Sequence, residues 1–152
     1  MVKLSLVHYV TKWLVDIMFY GGIVVCALLP FFMPLFSFTF GYISSGFGVN
    51  ALTLTLVSSG LCAVYILHQL RILLRSVIGG DPFVQANISC FRKCGVASFL
   101  IALVYAIRFA QIFTAASAII FVTFAMLGLF SLTLKDVFKQ AVFYKEENDW
   151  TV

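Results

Sequence analysis

Four apolar runs, residues 13–36, 51–70, 94–113 and 114–134, take up more than half of this chain of 152 residues. Each is about as long as the roughly 20 residues a helix needs to cross a hydrocarbon layer about 30 Å thick. Only Asp16 and Arg108 put a charge inside them. In lipid, every backbone N–H and C=O must find its partner within the protein, and a single apolar run can do that only as a helix. The expected fold is therefore all-α: a polytopic membrane protein with four transmembrane helices in an antiparallel bundle, one domain spanning residues 1–152. Composition agrees, with 62% hydrophobic and 11% charged residues. A soluble domain is about a quarter charged and could not cover this much apolar surface.

The ten Lys and Arg residues are not scattered. Lys3 and Lys12 precede the first run. Arg71, Arg75, Arg92 and Lys93 fall between the second and third, and Lys135, Lys139 and Lys145 follow the fourth. After threading four spans, all nine lie on one side, and Arg108 is the exception. Basic residues flank the cytoplasmic ends of membrane helices. The expected placement is thus the cell (inner) membrane, with both termini and the 71–93 loop cytoplasmic. The net charge of +4 is explained by topology and implies no direct nucleic-acid binding. A cleaved leader is not expected, because the apolar stretch after Lys12 is too long and no Ala-x-Ala site follows it.

Several segments carry finer signals. Pro30 and Pro34 are expected to end or kink the first span near its far side. Phe36, Phe38, Phe40 and Tyr42 alternate with small residues, giving either an interfacial aromatic belt or a lid over a hydrophobic ligand site. Cys94, Ser98, Ala102, Ala106 and Ala110 recur every fourth residue in the third span, a stripe that admits close approach of a neighbouring helix within the chain or in a homodimer. Ser59 and Ala63 form a candidate matching pair in the second span. The turn between spans three and four is expected near residues 114–117.

Ionisable groups inside a membrane are functional candidates by default. Asp16 lies one turn inside the first span, within reach of Lys12, Arg71, Arg75 or Lys139, and reads either as a structural ion pair or as a proton- or ligand-linked group. Arg108 lies far along span three. It can snorkel to the far surface or face the bundle and, with Tyr105 and the aromatic residues Phe38 and Phe40, hold an anionic or hydrophobic ligand.

Between spans two and three, Gly79 and Gly80 stop one helix. Asp81 is a good N-cap and Pro82 suits a first helical position, so a helix is expected to start at Pro82. Phe83 and Asn87 follow, then Arg92 and Lys93. This stretch reads either as a helix start with a packing anchor or as a docking surface for a cytoplasmic partner formed by Asp81, Pro82, Phe83, Asn87, Arg92 and Lys93.

Catalytic chemistry has little support. The four cysteines, Cys26, Cys62, Cys90 and Cys94, form no Cys-x-x-Cys. His8 and His68 are the only histidines, so neither a haem nor a metal hydrolase site is suggested. The expectation is a non-enzyme without cofactor or metal.

The segment with Asp81, Pro82, Phe83, Asn87, Arg92 and Gly95, together with Asp136 to Lys139 and Glu146 to Val152, resembles the signatures of a bacterial four-helix integral membrane family catalogued as domain of unknown function 2975. Trp150 stands where that family usually has a smaller aliphatic residue, and Phe91 where Leu is usual. Members are often encoded beside a small Cro-like helix-turn-helix regulator. The resemblance implies a membrane sensor or regulatory subunit that holds such a regulator. The alternative from architecture alone is a small dimeric exporter of hydrophobic or amphipathic compounds, although Asp16 is too near the surface for the membrane-central carboxylate that exporters use.

Overall fold

The computed structural model describes residues 6–39, 46–79 and 83–149. They form four helices: α1 (Leu6–Thr39), α2 (Gly46–Ile78), α3 (Gln85–Gln111) and α4 (Ala115–Asp149). All four are long and apolar enough to cross a membrane, so the chain is an all-α protein built as a multi-pass membrane protein.

Two boundaries, the end of α1 and the start of α3, differ from expectation, while the end of α2 at the glycines agrees with it. α1 runs through Pro30 and Pro34 to Thr39 instead of ending near them. The N–H that each proline lacks can be compensated within a membrane bundle by neighbouring groups and small local adjustments of the helix. α2 stops at Ile78, and Gly79 closes its last turn with an N–H to the Arg75 carbonyl at 2.9 Å. α3 starts at Gln85, not at Pro82. Val84 is the residue before it, with extended backbone at φ −125° and ψ 150° and no side-chain cap. Asp81 and Pro82 lie outside the described residues. Ahead of α3, the Phe83 ring lies 5.7 Å from that of Phe138 on α4.

The break between α3 and α4 falls at residues 112–114. Ile112 N–H closes α3 onto the Arg108 carbonyl at 2.9 Å, and Thr114 opens α4. The Ser117 hydroxyl donates to the Thr114 carbonyl at 2.8 Å and sits 2.7 Å from the Thr114 hydroxyl, so the first turn of α4 is tied back to the residue ahead of it.

The antiparallel bundle is open. Among the described residues, α1 packs on α2, α2 on α3 and α3 on α4, with no packing between α1 and either α3 or α4, or between α2 and α4. The helices stand in a row in chain order. Two seams are set by glycine. A Cβ on Gly60 would come within 2.6 Å of Cys26 Sγ, and one on Gly22 within 3.1 Å of Val64, so α1 and α2 meet closely there. A Cβ on Gly128 would lie 2.9 Å from the Phe99 ring, and one on Gly95 3.3 Å from the Gly128 carbonyl. The expected stripe contributes next to this second seam: Ser98 and Ala102 are buried, whereas Ala110 is exposed. Small residues at such seams let backbones approach and gain van der Waals contact, the main attraction between helices in lipid.

α3 is the best covered helix, with Asn87, Cys90, Gly95, Ala97, Ser98, Ile101 and Ala102 buried. α1, at the edge of the row, buries only Val15 among its described side chains and leaves residues such as Trp13 and Phe31 open. In water that exposure would be untenable; against lipid tails it is the natural outer surface.

Candidate functional site

Polar and aromatic contacts gather the basic ends of all four helices at one end of the row. Between α1 and α2, Arg71 Nε faces Asp16 Oδ1 at 2.5 Å. The guanidinium carbon lies 4.7 Å from the centre of the Phe19 ring and 5.2 Å from that of Tyr20. Phe19 also packs on His68, centroids 5.8 Å apart. A planar guanidinium can pair with a carboxylate at its edge while its face lies on aromatic rings, and both interactions strengthen as water is excluded. Of the four cations considered for Asp16, the structure pairs it with Arg71. Lys139 is on α4, which α1 does not touch.

Between α2 and α3, Asn87 Nδ2 donates to Ser76 Oγ at 3.1 Å. Asn87 is fully buried, so it ties two helices together from inside. Gln69, also buried, has its Oε1 in the same protein interior without a hydrogen-bond partner.

Between α3 and α4, Phe138 packs on Phe91 at 4.8 Å and on Phe83 at 5.7 Å. Phe83 remains partly exposed. From Ala115, about 20 residues of α4 suffice to cross the hydrocarbon. The helix continues to Asp149, which places roughly 20 Å of it beyond that layer. This extension carries the exposed apolar residues Val137, Phe143 and Tyr144 beside a local pair of Lys135 and Asp136 at 3.0 Å.

The residues first read as one docking stretch therefore have separate places. Phe83 joins the aromatic cluster on α4. Asn87 is inside, out of reach of any partner that leaves α2 on α3. Arg92 and Lys93 are exposed on the α2–α3 side, where they line a groove. The apolar residues of the α4 extension were missed as surface, because the sequence past residue 134 drew attention through its charges and Val137, Phe143 and Tyr144 are scattered among them.

At the far end, Tyr105 and Arg108 lie three residues apart near the end of α3, both partly exposed. Arg108 is one turn from the helix end at Gln111, a position from which its side chain reaches the surface. Phe40 lies outside the described residues, and of Phe38 only the backbone, in the last turn of α1, is described. The ligand site read from these four residues therefore lies partly outside the described residues. Among the described residues, no three His, Cys, Asp or Glu side chains form a metal-binding group, and the four cysteines are unbridged.

These features define a four-span helical membrane protein with one polar, aromatic and basic end. The chain belongs to the family described as protein of unknown function DUF2975, whose model matches residues 22–152. No curated protein and no solved structure matches it.

Proposed function

We propose that the protein is a membrane-embedded sensor or regulatory subunit of the cell (inner) membrane whose basic end faces the cytoplasm and holds a soluble partner there. The partner suggested by the family resemblance is a helix-turn-helix transcription regulator. The observation that carries this reading is the α4 extension: a helix continuing beyond its membrane span with Phe143 and Tyr144 exposed, braced at its root by Phe83, Phe91 and Phe138. Exposed aromatic residues on a rigid helix are typical anchors of protein interfaces. Lys12, Arg71, Arg75, Arg92, Lys93, Lys135, Lys139 and Lys145 at this end support its cytoplasmic placement. In this reading, a change in helix packing within the membrane shifts the aromatic brace and so alters the grip on the partner, provided the signal favours one packing over the other.

The test is cross-linked purification from native membranes, comparing partner recovery with thermal stability in detergent. Phe143→Ala and Tyr144→Ala together should lower recovery of a helix-turn-helix protein at least tenfold with an unchanged melting temperature. Asn87→Ala should lower stability, with recovery falling only in proportion. Full recovery by the Phe143 and Tyr144 variant would remove α4 as the docking element.

A further inference from the structure

Between α2 and α3 runs an open groove of about 390 Å³, lined by Leu61, Cys62 and Tyr65 on one side and Val96, Ala97 and Leu100 on the other, with Arg92 and Lys93 at one end. Residues 92, 96 and 100 of α3 recur every fourth position, as do 93 and 97, so cations and apolar residues share one helix face. Ala97 is buried and forms the floor; Leu61, Tyr65, Val96 and Leu100 are exposed along the walls. From Arg92 to Leu100 the groove runs about 12 Å along α3, from the basic end into the apolar span. Among the described residues, the ion pairs of Arg71 with Asp16 and of Lys135 with Asp136 leave both of these cations out.

We propose that this groove is a binding site for an anionic phospholipid of the leaflet at the basic end. An acyl chain lies along Leu61, Val96, Ala97 and Leu100, and the headgroup phosphate sits between Arg92 and Lys93. The walls face the bilayer, so the occupant comes from the bilayer and offers an apolar chain. The two cations stand at headgroup depth, where basic positions between membrane helices attract anionic lipid. Arg adds bidentate hydrogen bonding to phosphate oxygens and Lys a point charge. The site is independent of the partner-holding reading, since α4 contributes nothing to it.

Native mass spectrometry of the full chain in detergent tests the site, with dioleoylphosphatidylglycerol and dioleoylphosphatidylcholine as probes. The protein should retain one phosphatidylglycerol in preference to phosphatidylcholine. Arg92→Gln with Lys93→Gln should weaken that retention by about tenfold or more, at roughly tenfold per 1.4 kcal/mol and about 1 kcal/mol per cation near anionic lipid. Arg75→Gln with Lys139→Gln removes the same charge from the same end outside the groove and should change retention by less than about twofold. Val96→Trp, at a half-exposed wall position, should block retention of phosphatidylglycerol while the melting temperature without lipid stays unchanged. Equal loss in both charge-neutralised pairs would reduce the effect to general basic attraction and overturn the site. So would equal retention of the two lipids, or full retention by Val96→Trp. Displacement of phosphatidylglycerol by millimolar glycerol phosphate would assign the cations to a soluble anion instead and overturn the lipid.

Discussion

Asp16 on α1 and Arg71 on α2 form an ion pair in which both side chains are largely covered. Their side chains are 32% and 15% exposed, so the pair belongs between exposed ion pairs, worth about 0–1 kcal/mol, and buried pairs, where loss of one partner costs about 3–5 kcal/mol. Asp16→Asn and Arg71→Gln should each lower stability by about 1–3 kcal/mol, and the double variant should lose less than the sum, since the second change removes the charge stranded by the first. Thermal unfolding of the four proteins in detergent measures this, and strict additivity would mean that the two groups do not act as a pair. The sequence placed Asp16 among cations but did not choose one. Four candidates lay near one level of the membrane, and the choice depended on which helices are neighbours. The row excludes Lys139, and the Phe19 and Tyr20 rings favour a flat guanidinium. Asn87 was legible as a polar residue near a helix start. Its full burial follows from Ser76 standing opposite it, a pairing set by the α2–α3 register.

Helices were readable as elements because span length and apolar content in lipid leave a chain no other form. Their ends were less readable. Asp81 and Pro82 form a good local start signal, yet α3 begins at Gln85, and Phe83 ahead of it packs on Phe138, more than fifty residues away along the chain. Pro30 and Pro34 are strong stop signals in water and weak ones in a membrane helix. The small-residue stripe pointed to the correct face over Ser98 and Ala102. The close α3–α4 approach, however, is one residue over, at Gly95 and Gly128, and Gly128 belongs to a helix whose own pattern gives no stripe. Gly128→Leu should therefore destabilise the α3–α4 pair by about 1–3 kcal/mol, since its side chain would meet the Phe99 ring in a packed contact. Ala110→Leu, on an exposed part of the same expected stripe, should be near neutral. Equal melting temperatures for the two variants in detergent would contradict the seam.

At the scale of the molecule, four helices in an open row leave both broad faces and both edge helices to the lipid, and the side-chain pairs that join neighbouring helices through Asp16, Asn87 and Phe138 stand at one end. Asp16 with Arg71, Asn87 with Ser76, and Phe138 with Phe83 and Phe91 are three different chemistries, one per seam, all at the basic end. The α3–α4 seam, through Phe138, lies at the root of the α4 extension. The orientation of that end in the membrane underlies the whole functional account. Its most direct measurement is labelling of single cysteines by a membrane-impermeant thiol reagent, in a background with Cys26, Cys62, Cys90 and Cys94 replaced by Ala. Cysteine at Gly79 or Tyr144 should react only after cells are opened, and cysteine at Phe113, in the turn between α3 and α4, should react in intact cells. Labelling of positions 79 and 144 from outside intact cells, with 113 protected, would invert the molecule and contradict the account.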